Sequence, residues 1–175
     1  VAFLAPLVVE VEKGAPIVML AGAHPGCFEL FTTNGVRAIT ELKGKRISVP
    51  VEGGGHKLFI SSILSHVGLD PQRDVNWVIQ TSADSMRSLA EGKVDALVGF
   101  PPVPQEMRAK KIGKVILSSV ADKPWSQYFC CVVTGNRDFV KKNPVATKRA
   151  VRAILKSNHI CTNEPEATAK FLVER

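Results

Sequence analysis

Arg46–Phe100 reads RISVPVEGGGHKLFISSILSHVGLDPQRDVNWVIQTSADSMRSLAEGKVDALVGF, and its periodicities decide the fold class. Arg46–Val51 and Val75–Gln80 are short, β-branched apolar runs, and Asp95–Phe100 is another, halted by Pro101-Pro102. Between the first two, Ile60, Ile63, Leu64 and Val67 recur at i, i+3, i+4 and i+7, the spacing of one buried helix face, and Gly68 supplies the stop. Between the second and third, Ser82–Glu91 predicts a short helix with Asp84 in its first turn, Met86 and Leu89 inward, and Gly92 ending it. The segment is therefore a β-α-β-α-β unit, and an alternation of this kind implies an α/β protein with parallel sheet. Such a sheet takes ligands at the carboxyl ends of its strands. Here that edge carries Gly53-Gly54-Gly55 and the Phe100-Pro101-Pro102 stop.

The alternation extends outward on both sides. Towards the N-terminus, Val1–Val9 is uniformly apolar, suiting a buried helix or strand. Ala15–Ala23 predicts a buried strand, which His24-Pro25-Gly26-Cys27 breaks and Phe28–Phe31 resumes. Ile39–Lys45 is a polar turn. Towards the C-terminus, Pro104–Lys111 predicts a basic helix, Lys114–Ser118 a strand, and Tyr128–Thr134 a strand of aromatic and β-branched residues. Asn143-Pro144 opens a helix, since proline suits a first turn, and this helix should turn Ala150, Val151, Ile154 and Leu155 inward. A last helix is expected from Asn163, with Glu166 completing a capping box, through Phe171 and Leu172.

Composition narrows the function. Of 175 residues, 45% are hydrophobic and 22% charged, too apolar for a disordered chain and enough for one compact domain or two small lobes. No uncharged apolar stretch reaches the roughly 20 residues of a spanning helix. The net charge of +7 comes almost wholly from Arg137–Lys156. That tract has one aromatic, Phe139, and no nucleic-acid-binding motif, so it reads as a solvated helix face and not as a groove for nucleic acid. Val1 opens without an initiator Met or a signal peptide, and the chain reads as cut from something longer. Cys130 and Cys131 are adjacent on a strand and point to opposite faces, so they would not chelate one ion. Buried free cysteine is the expectation, with no metal site and no cofactor. Phosphate-loop and dinucleotide-loop patterns are missing.

The candidate ligand contacts follow from position. His24 lies at the edge of an apolar run, and Glu52 and His56 flank the glycine loop. The backbone of Gly53, Gly54 and Gly55 opens a helix and suits an anionic or polar group. Phe100 and Pro101 offer an apolar wall at a strand end. Trp125, Gln127 and Tyr128 cluster before a strand, their rings and amide suiting a planar or sulfonate-bearing ligand.

The ordered signposts ITELKGKRISVP (Ile39–Pro50), Gly53–Gly55, VGLDP (Val67–Pro71) and EGKVDA (Glu91–Ala96) resemble those of the solute-binding proteins of ABC importers. The group concerned handles nitrate, sulfonates, taurine and thiamine precursors, the NMT1/THI5-like family. HPGCFEL (His24–Leu30), PWSQYFCC (Pro124–Cys131) and NPVATKR (Asn143–Arg149) fit one subgroup closely. The resemblance implies a type II periplasmic-binding-protein-like α/β fold, with two lobes and a mostly parallel sheet, the N-terminal lobe truncated here. On that analogy 1–36 is a remnant of the first lobe with the first hinge crossing, 37–120 the second lobe, and 121–175 the return crossing and C-terminal helices of the first. It implies a non-enzymatic module that binds a small solute between lobes for delivery to ABC transporter membrane subunits. The implied location is periplasmic or extracytoplasmic, and a homodimer could cover the truncated lobe. Two rivals stand beside it: a resemblance to fungal pyrimidine-precursor synthases that use pyridoxal phosphate and a histidine, for which this sequence shows no convincing cofactor lysine, and a truncated non-transport interaction protein that dimerises.

Overall fold

The computed structural model describes residues 1–174. The elements, in chain order, are β1 (Ala2–Phe3), α1 (Leu4–Glu12), β2 (Ile17–Pro25), β3 (Glu29–Thr32), β4 (Arg46–Val49), α2 (Gly55–His66), β5 (Asn76–Ile79), α3 (Ser82–Ala90), β6 (Ala96–Gly99), α4 (Val103–Lys110), β7 (Lys114–Ser118), β8 (Phe129–Asn136), α5 (Arg137–Lys142), α6 (Pro144–Asn163) and α7 (Pro165–Val173). Two compact units result: Pro25–Tyr128, and Val1–His24 together with Phe129 onward. The divisions fall at 24/25 and 128/129, where the sequence placed them at 36/37 and 120/121. The inner unit reaches back to Pro25 because β3 pairs with both β6 and β7.

The Pro25–Tyr128 unit is built on a five-stranded sheet of order β5-β4-β6-β3-β7. β4 pairs in parallel with β5 and with β6. β3 runs antiparallel to its two neighbours, a reversal that the alternation of apolar runs did not reveal. Right-handed crossovers from β4 outward to β5, and then back past β4 to β6, put α2 and α3 on opposite faces of the sheet. β6 is consequently buried at all four residues, as a strand covered on both sides must be. On one face Phe31 and Leu97 pack with Met86 and Leu89 of α3 and Met107 of α4; α2 contributes the buried Ile60, Ile63 and Leu64. Thr81 caps α3, its hydroxyl accepting the Asp84 N–H, one of the donors that a helix start leaves over. At the sheet's lower edge Asp95 accepts from both the backbone and the guanidinium of Arg46. This pairing holds its carboxyl below the usual carboxylate range.

The other unit has a three-stranded sheet, β1-β8-β2, with β1 antiparallel to β8. Its buried side chains are Cys131, Val132 and Val133 of β8. Cys130 is half-buried beside the buried Cys131, and three consecutive buried residues in β8 do not show the period-2 burial of a strand with one covered face. Val1–Val9 divides into β1 and the start of α1 and is not buried, with Pro6 in the first helical turn where its missing N–H costs nothing. Asn136 caps α5, accepting from the N–H groups of Asp138 and Phe139, a short helix that the sequence reading did not separate. α6 differs from expectation at its inner face: Ala150 and Leu155 are exposed, and a narrow half-buried edge of Thr147, Val151, Ile154 and Asn158 does the packing. Asn158 donates to the Ala23 carbonyl of β2 at 2.8 Å. The capping box from Asn163 does not form. Asn163 donates to the His159 carbonyl inside α6, and α7 starts one residue later at Pro165, after Glu164. Among the described residues, no helix is long and apolar enough to cross a membrane.

Candidate functional site

In the order β5-β4-β6 the chain adds β5 on one side of β4 and β6 on the other, and the crevice between the carboxyl ends of β4 and β6 is where such sheets accept ligands. Two segments leave from that crevice. β4 ends at Val49 and passes through Pro50–Gly54 into α2, while β6 ends at Gly99 and releases Phe100. β3 begins at the same edge, because Glu29 is opposite both Gly99 and Ser118.

The glycines have distinct reasons to be there. Gly53 has φ of +67°, in the left-handed region that costs a residue with a Cβ roughly 1–2 kcal/mol. Gly54 is the residue before the helix, and a Cβ on it would stand 3.2 Å from the Val51 Cβ and 3.3 Å from the Val51 carbonyl oxygen. Gly55 is buried in the first turn. With no side chain capping α2, the N–H groups of its first turn have no partner within the helix, and the helix dipole adds to their positive field.

A chain of rings adjoins this terminus. His56 lies 4.9 Å from Phe28 and 6.3 Å from Phe100, centroid to centroid, and Phe28 lies 6.2 Å from Phe100. Phe28 also packs on Phe59 at 5.1 Å, and Phe59 on Trp125 at 6.0 Å. Spacings of this size fall in the attractive range for tilted and edge-on rings. Burial among them pushes His56 below its ordinary range, so near neutral pH its imidazole is uncharged and offers one donor and one acceptor. Phe28 is held from behind: the buried hydroxyl of Ser119, just past β7, accepts the N–H groups of Cys27 at 2.9 Å and Phe28 at 2.8 Å, and the Ser119 N–H donates to the Phe28 carbonyl at 2.9 Å.

Gly53, Gly54, Gly55, His56 and Phe100 thus come together at one sheet edge. Pro101 follows Phe100 and is exposed. Trp125 sits lower along α2, against Phe59 and His66. Glu52 is ion-paired with Lys57, whose ammonium lies 4.8 Å over the Trp77 ring. Gln127 and Tyr128 are exposed at the end of the unit, and His24 belongs to the other unit. Phe28, Phe59 and Ser119 were not singled out from sequence. Phe59 could have been, since it stands three residues from His56 on one helix; Ser119 carried no local signal.

Switch-point crevice, glycine-opened helix and two-unit α/β architecture together define the periplasmic-binding-protein class of fold. Solved structures agree. The periplasmic sulfonate-binding protein SsuA of Methylobacillus flagellatus aligns with a TM-score of 0.70 at 25% identity, covering 97% of this chain and 51% of that one. The aliphatic sulphonate-binding SsuA of Escherichia coli gives 0.78 at 16%, covering 97% and 57%, and the nitrate-binding NrtA of Synechocystis gives 0.69 at 16%, covering 91% and 46%. The model of the NMT1-like family matches residues 2–174, and the chain belongs to that family. A Brucella abortus protein named as a candidate binding protein is 27% identical over 142 residues, 79% of this chain and 44% of its own length. The chain spans about half the length of the relatives it matches.

Proposed function

We propose that the chain serves a non-enzymatic, ABC-import-type binding protein and takes a small solute at the carboxyl edge of the Pro25–Tyr128 sheet. The observation that carries this reading is the convergence of the uncapped α2 terminus with the Phe28–His56–Phe100 rings at the switch point. An oxyanion or sulfonate head accepts hydrogen bonds from first-turn N–H groups, and an apolar or heteroaromatic body lies on the rings. Nitrate, sulfonates, taurine and aminopyrimidines are the solute classes concerned. On this reading Pro101, Trp125, Gln127, Tyr128, Glu52 and His24 are further contacts to be tested singly, the partners are importer membrane subunits, and the location is extracytoplasmic. Delivery would follow from a solute that binds two conformations unequally.

Differential scanning fluorimetry with nitrate, taurine, octanesulfonate and an aminopyrimidine tests the reading. At about 100 times Kd, a solute adds about 2.7 kcal/mol, which raises Tm by roughly 5–10 °C in a chain of this size. Phe100→Ala should shrink that rise for the solute that produces it. If none of the four moves Tm, the proposed site is wrong.

A further inference from the structure

The glycine loop is tied to α2 by more than its backbone. Val51-Glu52-Gly53-Gly54 is a turn closed by the Gly54 N–H, which donates to the Val51 carbonyl at 3.3 Å, with Gly53 supplying the positive φ of +67° at its third position. Gly54 also opens the helix, its carbonyl accepting from the Leu58 N–H at 3.0 Å. A side-chain contact crosses from turn to helix as well: the Lys57 ammonium donates to the Glu52 carboxylate. Lys57 stands in the first turn of α2, where the helix dipole disfavours a cation and no acid is present to offset it. Its place has another reason. The ammonium lies 4.8 Å from the centroid of the Trp77 ring of β5, on the face that attracts cations, and the side chain is only 19% exposed. Trp77 is held in turn, its indole N–H donating to the Pro71 carbonyl at 2.7 Å and its backbone paired opposite Ile47 of β4.

We propose that the Glu52–Lys57 pair is a staple that positions the solute site: Lys57, anchored on Trp77, holds Glu52 and so fixes the turn that aims the first-turn N–H groups of α2. This role rests on the solute site proposed above, and it gives neither residue a contact with solute. A first-turn lysine is the natural counterion for an anion at a helix start. Here Glu52 already answers that charge, which leaves the anion to the N–H groups. Loss of either partner has the same consequence, because a loosened turn no longer presents several N–H groups to one solute head together.

Nitrate, taurine, octanesulfonate and an aminopyrimidine are titrated by calorimetry into the full chain and into Glu52→Gln, Lys57→Met, the double variant and Lys57→Arg. Amide exchange is followed on the same proteins without solute. Lys57→Met keeps the stem on Trp77 and removes the charge, whereas Lys57→Arg keeps both the charge and the ring contact. For a solute that binds, each of the first two should weaken affinity about threefold or more, and the double variant should match the weaker single within about twofold, as residues acting as one unit do. Lys57→Arg should stay within about twofold of the original chain, since it can remake the pair. Without solute, the Gly54 amide should exchange faster in Glu52→Gln and Lys57→Met, while the amides of β4 and β6 keep their protection and show the sheet intact. Binding with Gly54 exchange unmoved overturns the staple and leaves the solute site standing. So do single losses that multiply in the double variant, or a Lys57→Arg loss as large as that of Lys57→Met, since either would mean direct contact with solute. If none of the four solutes binds the unsubstituted chain, the solute site itself is overturned and the positioning role with it, whatever the Gly54 amide does.

Discussion

Ser119→Ala isolates the contact that holds the aromatic wall to the sheet. The Ser119 side chain is buried, with 4% of the residue exposed, and its oxygen is the acceptor for two backbone N–H groups, those of Cys27 and Phe28. Alanine removes the acceptor and leaves both donors in a site closed to water. An orphaned buried donor costs about 1–3 kcal/mol, so two served by one hydroxyl imply a loss of about 2–4 kcal/mol. For a chain of this length that is a fall in Tm of roughly 5–15 °C. Urea unfolding followed by tryptophan fluorescence suits the measurement, because Trp77 and Trp125 both lie in the unit that contains Ser119. Amide exchange adds a local reading: the Cys27 and Phe28 N–H groups should lose protection beyond the global change. Ser119→Thr keeps the oxygen and should recover much of that local protection. If Ser119→Ala costs less than about 0.5 kcal/mol and both amides keep their protection, then the hydroxyl does not hold Phe28 and the account of the wall fails.

Two further outcomes are expected. Burial depresses the folded-state pKa of His56, so protonation favours the unfolded chain; stability should be level above about pH 6.5, decline as pH falls from there to the folded value, and flatten below it. The part of this decline that His56→Phe removes, in urea titrations between pH 7 and 5, measures the His56 contribution, and an identical profile in the variant would refute it. Gly53→Ala places a Cβ at φ +67°, with open space around it. Its cost should therefore be backbone strain alone, about 1 kcal/mol by chemical denaturation, together with weaker binding of whichever solute raises Tm, and a neutral result would mean the loop relaxes freely.

Much of the inner sheet was legible because its elements obey local rules. The β4–β6 unit shows as three apolar runs separated by helices whose buried positions, Ile60, Ile63 and Leu64 in one and Met86 and Leu89 in the other, fall on helical spacing. Lys114–Ser118 is a strand with the bounds read from sequence. What escaped reading depends on distant partners. β3 looks like any apolar run, and only its pairing with β6 and β7 makes it antiparallel. Ala150 and Leu155 sit at helical spacing with Val151 and Ile154, yet they remain exposed because α6 uses a narrower edge than its apolar content allows. The capping box at Asn163 fails because Pro165 fixes the start of α7, leaving Glu164 at the N-cap with no side-chain cap.

The same division runs through the site. The glycine loop and Phe100 were legible because special backbone geometry and a proline stop leave marks in a few consecutive residues. Glu52 and Trp125 carried similar marks; the structure pairs one with Lys57 and packs the other along α2, and solute contact by either is for the single substitutions to test. Phe28 and Ser119 left none, since their relation spans 91 positions and exists only because β3 returns alongside β7. The position of the aromatic wall is therefore a property of the sheet, and substitutions that alter it need not touch solute. Affinity measured alone would confuse these two kinds of residue. Affinity measured with Phe28 amide protection separates them: Phe100→Ala should weaken solute binding with the amide still protected, whereas Ser119→Ala should lower both together.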